Sequence, residues 1–426
     1  MKEYDVVIVG GGISGLTAAN ELSDLISAHT LLIEKGNSYQ DRLQASCPNL
    51  LEGLGGAGTL GGGKLCYPPA SGKIWGKTGL KDPNHLFNMM MKYNLPVTTK
   101  DECDIQDEHY FPHFKNRYYR KLYTSELLTK HEMENFIQGL IRRALNHHVE
   151  IHTNSRFEKY SQCGEKILVS YVDETGCVKS AYTQNLIMAC GRSSAKEMEL
   201  LFPGSSVIQQ PVDLGIRLVF PRRSGGMFGQ IGKDVKLKAN FQDVSVRSFC
   251  VCSGGELARV RYYGQDYYDG HFGEKISTEV NIGILARSPD CIGTDAALQY
   301  LSAYQDMIDE EISLTWFFKH WPSIAQTAEH KKIFSAITQF LRSLLQSDAF
   351  SVKPEEIRVA MPSVDRLNPF VKTDEDFRTV VPGVWIIGDA AGISRGFVQS
   401  FWSGHCAASA IAKETLANRK KIYAVL

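Results

Sequence analysis

The chain has 426 residues, in which 47 lysines and arginines balance 47 aspartates and glutamates. This balance offers no basic field for nucleic-acid phosphates and no acidic tail, so we expect no nucleic-acid partner. The length suffices for two domains with sizeable cores.

Ten cysteines are scattered along the chain without a secretory signal, which indicates free thiols rather than a disulfide framework. A first strand that begins at Tyr4 leaves no room for a signal or transit peptide, and no apolar run reaches the length of a membrane span. We therefore expect a soluble, cytoplasmic protein. The sequence leaves the oligomeric state open.

The first forty residues predict a strand, a glycine turn and a helix. Tyr4–Val9 is apolar and β-branched, glycines follow it, and Leu16–Ile26 has the apolar spacing of a helix. The turn fits Gly-x-Gly-x-x-Gly, whose glycines allow a tight turn, close approach of the backbone to a pyrophosphate and close packing of the helix on the strand. Free N–H groups at the helix N-terminus would face the phosphates. The predicted contacts are Gly10, Gly12, Ile13, Ser14 and Gly15.

The second strand, Thr30–Ile33, ends in an acid at the place where a carboxylate accepts hydrogen bonds from a ribose hydroxyl. Glu34 and the adjacent Lys35 therefore join the predicted contacts. Because the strand, the turn, the helix and the acid agree, we predict an adenine dinucleotide site. The pattern does not say which dinucleotide binds.

Residues 53–72 form a segment too rich in glycine for a helix and too interrupted for a long strand. Ordering such a loop costs conformational entropy, so we expect it to bring backbone close to a ligand. Lys64 is the nearest cation, and it would lie beside the cofactor or a substrate anion. The alternative is a flexible surface loop with a solvated lysine. The candidate contacts are Gly55, Gly56, Ala57 and Gly58.

Between residues 75 and 200 the sequence predicts helices and strands but no catalytic residue. Asp101–Tyr123 is rich in charged and aromatic residues that match no metal-site spacing, so we expect a solvated, irregular insertion. The acids and histidines concerned are Asp104, Asp107, Glu108, His109 and His113. The elements predicted next are an amphipathic helix over Glu132–His147, a strand over Val149–His152, paired strands over Lys166–Val172 and Ala181–Thr183, and an apolar strand over Asn185–Gly191.

From residue 205 to about residue 355 the chain changes to strands rich in Val, Arg and Tyr, followed by helices, which we interpret as a substrate domain. Within Val244–Gly255, a regular strand would place Cys250 and Cys252 on one face. A Cys-x-Cys pair can be a redox dithiol or two metal ligands, and the alternative is a pair of small core residues. No second clustered pair exists, which argues against a tetrahedral thiolate zinc site. Ile333–Leu345 carries a helical apolar stripe that core packing explains.

The chain ends with a second strand, glycine turn and helix. Val384–Ile387 is an apolar strand, Gly388–Gly392 follows it, and a helix opens within Ile393–Gln399 and runs through Ala412.

Several of these segments resemble flavoproteins of the glutathione-reductase type, and the resemblance implies FAD. In such proteins a small-residue loop, here Gly55–Gly58, runs under the pyrophosphate and beside the isoalloxazine ring, and the counterpart of Ser155–Phe157 hydrogen-bonds adenine. Asn185–Gly191 resembles a strand ending in Ala-Thr-Gly, with Cys190 at the Thr position. Gly388–Gly392 resembles the second flavin signature, whose Asp bonds the ribityl chain and whose following helix points its N-terminus at the N1 and C2-carbonyl edge. The contacts implied are Phe157, Gly191, Gly388, Asp389, Gly396, Phe397 and Val398.

The whole chain resembles the poorly characterised FAD-dependent dehydrogenase (NAD/FAD-utilising dehydrogenase) family. The segments that carry this resemblance are the opening fingerprint, Cys47-Pro48, Gly55–Gly58, Gly63-Lys64-Leu65, Pro211–Arg217, Arg247–Gly255 and Gly388–Val398. The chain departs from it in lacking further cysteines between Asn49 and Leu54, and in having Leu60-Gly61-Gly62 where members often carry Ser-Asp. The family implies FAD and redox chemistry but no settled substrate.

We therefore predict an α/β fold. A glutathione-reductase-type, FAD-binding Rossmann-like domain would comprise residues 1–204 and 356–426, and an inserted α+β substrate domain residues 205–355. The sequence has no second dinucleotide fingerprint and no Cys-x-x-Cys. The leading hypothesis is an FAD-dependent oxidoreductase that transfers a hydride between bound flavin and a small organic substrate held between the domains, with NAD(P)H open as a transient reductant.

Candidate catalytic residues follow from this hypothesis. Lys64 and Arg395 are the candidate cations near the flavin or an anionic substrate, while Cys250 and Cys252 are candidates for redox or substrate contact. No metal site is predicted. The alternatives are an NAD(P)H-driven flavin monooxygenase and a non-catalytic FAD-binding redox sensor.

Overall fold

The computed structural model describes residues 2–70, 72–95, 119–310, 312–347 and 351–425. The acids and histidines of the insertion expected at Asp101–Tyr123 lie outside the described residues. Its last part was predicted wrongly, because a strand begins at Tyr119.

The strands, in chain order, are β1 (Lys2–Val9), β2 (Thr30–Ile33), β3 (Gly63–Cys66), β4 (Tyr119–Leu128), β5 (Glu150–His152), β6 (Arg156–Cys163), β7 (Lys166–Val172), β8 (Val178–Met188), β9 (Val207–Ile208), β10 (Asp213–Pro221), β11 (Lys233–Phe241), β12 (Val244–Ser253), β13 (Glu256–Tyr262), β14 (Gln265–His271), β15 (Glu279–Arg287), β16 (Ile312–Ser313), β17 (Arg358–Asp365), β18 (Phe370–Val371) and β19 (Val384–Ile386). The α-helices are α1 (Ile13–Ile26), α2 (Tyr39–Gln44), α3 (Lys73–Lys77), α4 (Pro83–Lys92), α5 (Lys130–Asn146), α6 (Ala195–Leu201), α7 (Gly293–Ala303), α8 (Leu314–Ile324), α9 (Ala328–Leu345) and α10 (Phe397–Val425).

The first sheet contains the predicted dinucleotide fold. Its strand order is β5-β2-β1-β8-β7-β6, and β19 pairs with the carboxyl-terminal part of β8. The pairs β5–β2, β2–β1, β1–β8 and β8–β19 are parallel, whereas β6, β7 and β8 form antiparallel pairs. Apolar residues fill β2 and the second half of β1 because both faces are covered, and α1 packs against α10 and α5. This α/β, Rossmann-like architecture is the predicted one.

The second sheet is antiparallel throughout, in the order β16-β17-β10-β15-β12-β11-β4-β3. Helix α9 lies across β10, β11, β12 and β15. The predicted apolar stripe of α9 is buried from Ile333 to Leu344, with Leu345 half-buried, so its interpretation as core packing is confirmed. The hairpin β13–β14 forms a separate pair of strands beside this sheet.

Pairing in the second sheet crosses the predicted domain limits. Strands β3 and β4 come from before residue 205, and β17 comes from after residue 355. The division at 205 and 355 stays a prediction, and the antiparallel sheet draws on three separate parts of the chain. None of the helices in the described ranges combines the length and the hydrophobicity that a membrane span requires.

Candidate functional site

A cavity of about 630 Å³ lies between the carboxyl ends of β1, β2 and β8 and the antiparallel sheet. In open α/β sheets ligands bind at this edge, because strand ends and helix N-termini meet there. All four catalytic candidates and most of the cofactor-binding candidates from the sequence lie in its wall. The predicted residues outside the wall are Gly15, Gly55, Gly388 and Val398.

One end of the cavity is formed by two glycine turns that touch. Helix α1 begins at Ile13, and its N-cap, Gly12, provides no side-chain cap, so the N–H groups of the first turn stay available to a ligand. Gly56 has φ +81°, and a Cβ there would lie 2.7 Å from the Cα of Gly12. Only glycine at position 56 therefore allows this loop to close on the turn. The arrangement suits a diphosphate.

Glu34 holds the two glycine turns in place. Its Oε2 accepts a hydrogen bond from the N–H of Gly11 at 2.8 Å, and its Oε1 accepts from Gly36 at 2.8 Å and from Gly53 at 3.0 Å. The side chain is buried and forms part of the cavity wall. The predicted ribose contact stays a prediction, and the structure adds a bracing role for the same carboxylate.

Arg42 is a buried residue that the sequence did not single out. Its guanidinium donates to the carbonyls of Leu54 at 2.8 Å and of Asn49 and Gly56 at 3.1 Å. Arg42 therefore shapes the glycine loop from beneath. No motif marks it, because its partners are backbone carbonyls whose positions depend on the folded loop.

The predicted adenine side of the site is also in the cavity wall. Phe157 lies at the start of β6, and the N–H of Ser155 donates to the carbonyl of Glu34 at 2.9 Å. Lys35 is paired with Glu52, with 2.7 Å between Nζ and Oε1. The Ser155 hydrogen bond holds residues 155–157 beside the end of the second strand. The adenine contact that the resemblance implied stays a prediction.

Asp389 lies in the cavity wall, after β19. Its carboxylate is 3.3 Å from the Nε of Arg192. The Nη1 of the same arginine donates to the hydroxyl of Tyr267 at 3.0 Å and lies 3.3 Å from the carboxylate of Asp269. Arg192 thus links the dinucleotide fold to the β13–β14 hairpin. It directly follows Gly191 in the chain, but no sequence motif includes it.

Helix α10 begins at Phe397, within the predicted range, and its N-terminus lies at the cavity. Gln399, in its first turn, donates to the carbonyl of Cys66 at 3.1 Å, while its Oε1 is buried without a partner. An acceptor in this state favours a ligand that brings an N–H donor. A Cβ on Gly396 would meet this oxygen, so a larger residue there would require the Gln399 side chain to turn away.

Lys64 is paired rather than free. Its Nζ lies 3.4 Å from Asp234 Oδ2 and donates to the carbonyl of Val251 at 3.2 Å. Burial lowers the pKa of Lys64, but Asp234 and the neighbouring cysteine Cys250 outweigh burial and raise it well above its usual value. Because the Lys64 side chain is paired with Asp234 and only 12% exposed, against 26% for Arg395, Lys64 is the poorer partner for a substrate anion.

Arg395 belongs to a group of ions that we call the arginine cluster. Its members are Asp213, Asp365, Arg247, Arg287, Arg366 and Arg395. Arg247 bridges the two carboxylates, with its Nε 3.1 Å from Asp213 and its Nη2 2.8 Å from Asp365. Burial, together with Arg395 and Arg287, lowers the pKa of Arg366 to about 10. The cluster thus carries more positive than negative charge.

The predicted Cys-x-Cys pair also lies in the cavity wall. Cys250 and Cys252 line the cavity, and their sulfur atoms are 3.6 Å apart. Among the residues that the structure describes, no three His, Cys, Asp or Glu side chains are grouped as metal ligands.

Comparison with known proteins matches the NAD(P)-binding Rossmann-like domain over residues 8–39. No curated protein matches the chain. Similar solved structures include a flavoprotein/dehydrogenase from Cytophaga hutchinsonii, with 10% identity, a TM-score of 0.41, and 98% of this chain and 79% of that chain covered. A geranylgeranyl bacteriochlorophyll reductase-like protein from Thermoplasma acidophilum has 13% identity, a TM-score of 0.43, and coverage of 98% and 80%. The myxobacterial chondrochloren halogenase has 13% identity, a TM-score of 0.44, and coverage of 98% and 76%. At these scores the likeness carries no conclusion about activity.

The residues present fit FAD. The diphosphate site at α1, the buried Glu34, the carboxylate of Asp389 and the unpartnered Gln399 oxygen line one continuous cavity. That cavity extends beyond the fingerprint of the Rossmann-like domain to the N-terminus of α10. FAD is the cofactor of this protein.

Proposed function

We propose that this protein is an FAD-dependent oxidoreductase, a dehydrogenase or reductase, that transfers a hydride between bound flavin and a small organic anion. Bound FAD supplies the hydride chemistry. The chain supplies binding, orientation and electrostatics. We also propose that it belongs to the FAD-dependent dehydrogenase family that it resembles, with an FAD domain of the glutathione-reductase type, because most of the segments that carry the resemblance contribute to the cavity wall.

Separate parts of the cavity wall would hold the cofactor. The first-turn N–H groups of α1 would bind the diphosphate, and Asp389 would accept hydrogen bonds from ribityl hydroxyls. Gln399 Oε1 would accept from a ring N–H. The N-terminus of α10 carries partial positive charge, which favours negative charge next to Phe397.

The excess positive charge of the arginine cluster is the observation that supports an anionic substrate. Four arginines share the carboxylates of Asp213 and Asp365, so the formal balance is plus four against minus two. Arg247 and Arg395 line the cavity, and the side chain of Arg395 remains 26% exposed. A carboxylate or phosphate group would balance this charge and accept the remaining guanidinium N–H groups.

Replacement of Arg395 tests the substrate class. We expect Arg395→Met to weaken binding of an anionic substrate roughly 10- to 100-fold, because charge-assisted hydrogen bonds are lost. The measurement is an anaerobic screen of hydroxy, amino and unsaturated acids against their neutral amides, followed through the flavin absorbance. Hits among the acids are then titrated into the wild type and the variant.

Arg358→Met is the matched control. Arg358 lies on β17 and pairs with the partly exposed Glu279 at 2.6 Å, outside the cavity wall. We expect it to leave substrate binding unchanged. Equal response to acids and neutral amides, or unchanged binding by Arg395→Met, would refute the anionic substrate.

Anaerobic mixing with NADH and NADPH tests the type of reaction. A dehydrogenase that its own substrate reduces should keep its flavin colour with both nucleotides. Rapid bleaching by one of them would instead indicate a nicotinamide-driven reductase, and oxygen-dependent hydroxylation after bleaching would indicate the monooxygenase. If the yellow protein shows no turnover with any electron donor, the redox sensor remains as the explanation.

A further inference from the structure

The backbone of β12 brings two cysteine sulfurs into contact. In a regular strand, side chains two residues apart stand about 6.6 Å from each other. Here Phe249 pairs with Gly283 but Cys252 pairs with Asn281, so β12 carries one extra residue, and Cys250 has φ +46°. This bulge places the sulfur atoms 3.6 Å apart. A disulfide requires about 2.05 Å, so a small movement would join them.

Polar groups hold this bulge from both sides. The Nη2 of Arg217, a fully buried residue, donates to the carbonyl of Cys250 at 3.0 Å and to Asn281 Oδ1 at 2.5 Å. Lys64 donates to the carbonyl of Val251, the residue between the two cysteines. The backbone of the pair is therefore anchored, while both sulfurs remain at the cavity.

The hydrogen bond between the two thiols and the charges around them give Cys250 and Cys252 different pKa values. A hydrogen bond from Cys252, aided by Lys64 and Arg217 against burial and Asp269, lowers the pKa of Cys250 to about 6. The same hydrogen bond and burial raise the pKa of Cys252. Cys250 is thus suited to attack as a thiolate and Cys252 to hold a proton.

Two other half-buried cysteines differ from Cys250. Burial raises the pKa of Cys66 to about 11 and that of Cys190 to about 12, although both also line the cavity. Low thiol pKa and a neighbouring resolving thiol thus coincide at the bulge. Metal binding is the less suitable role, because the described residues group no third ligand with the pair.

We propose that Cys250 and Cys252 form a redox-active dithiol that reduces small disulfides entering the cavity. The Cys250 thiolate attacks one sulfur of the external disulfide, forming a mixed disulfide and releasing the first thiolate. Cys252 then attacks the Cys250 sulfur and releases the second. Two protein thiols become one S–S bond, one external disulfide becomes two thiols, and the two cysteine protons pass to those products. The proposal requires no flavin step and is therefore independent of the proposed function.

A single tryptic peptide reports on the pair. Cleavage after Arg247 and Arg259 releases Ser248–Arg259, which contains Cys250 and Cys252 and no other cysteine. The flavin-loaded protein is reduced, desalted, treated with dithiodipyridine, alkylated with N-ethylmaleimide and analysed by mass spectrometry. We expect a peptide lighter by two hydrogen atoms than the dithiol form and without adducts. Dithiothreitol should restore two alkylatable thiols.

The exposed Cys163 is the internal control, because it should take a single thiopyridyl adduct. The proposal is overturned if Cys163 reacts while the wild-type Ser248–Arg259 peptide carries two maleimides or two thiopyridyl groups. This readout needs no variant and no turnover, so it stands if the proposed function fails.

Variants assign the order of attack. Cys252→Ser should retain a thiopyridyl adduct on Cys250, whereas Cys250→Ser should lose roughly 90% of the adduct because its remaining thiol is largely protonated. Lys64 is a positioning residue, so Lys64→Met should slow closure and Lys64→Arg should restore it. Equal adduct formation by the two serine variants would overturn the assigned order.

Discussion

Asp213→Asn is expected to lower the free energy of unfolding by about 3–5 kcal/mol, the range seen when one partner of a buried ion pair is removed. Asp213 is 1% exposed, and its carboxylate accepts from the Nε of Arg287 at 2.6 Å and of Arg247 at 3.1 Å. The register of β10 and β17 also sets it directly opposite Asp365. Like charges in this position repel, and the arginines offset the repulsion. Asparagine keeps the shape but leaves the arginines with excess charge.

Urea unfolding of the wild type and the variant measures this effect. The control is Asp290→Asn, because Asp290 is 60% exposed and pairs with Lys332 at 3.1 Å. We expect that control to change stability by less than about 1 kcal/mol. Equal unfolding curves for the wild type and Asp213→Asn at neutral pH would contradict a stabilising role for the cluster.

The pH dependence of this difference has a defined sign. Burial raises the pKa of Asp213, but Arg247 and Arg287 outweigh burial and hold it below its usual range. A carboxyl whose folded-state pKa is depressed stabilises the protein above the unfolded-state pKa, and this stabilisation is lost as the pH falls through the folded-state value. The wild-type and variant curves should therefore converge as the pH falls below about 4.

Glu34→Gln is expected to lower the free energy of unfolding by about 2–3 kcal/mol and to weaken FAD binding at least tenfold. The carboxylate accepts three backbone N–H groups, one at Oε2 and two at Oε1. A glutamine has the same shape but only one acceptor oxygen. Whichever way its amide is turned, an NH₂ group meets at least one of the N–H donors of Gly11, Gly36 or Gly53. The two glycine turns at the diphosphate site then lose their brace.

FAD titration by flavin fluorescence and thermal unfolding measure the two effects. Glu158→Gln is the matched control, because Glu158 also borders the cavity but its carboxylate pairs with the exposed Arg156 at 2.8 Å. It should retain FAD affinity and stability within about 1 kcal/mol. If Glu34→Gln binds FAD as tightly as this control does, the bracing role is wrong.

The sequence alone determined the parts of this protein that depend on local patterns. The fingerprint predicted β1, the glycine turn and α1, and apolar spacing predicted α5 and the buried stripe of α9. Such signals are readable because strand and helix periodicity, and glycine in a turn, reflect interactions between near neighbours. The two ends of the chain were also expected to meet at one cofactor, and Gly10 and Gly396 border the same cavity.

Tertiary structure alone decided how charges and thiols are paired. Lys64 and Arg395 were equivalent candidates in the sequence, yet Lys64 is more deeply buried and pairs with Asp234, while Arg395 joins a cluster with excess positive charge. The sulfur contact between Cys250 and Cys252 depends on a bulge that the pairing with β15 reveals. These properties depend on side chains and strand registers that lie far apart in the chain, and electrostatic energies change with burial and distance. Only the folded structure brings those partners together.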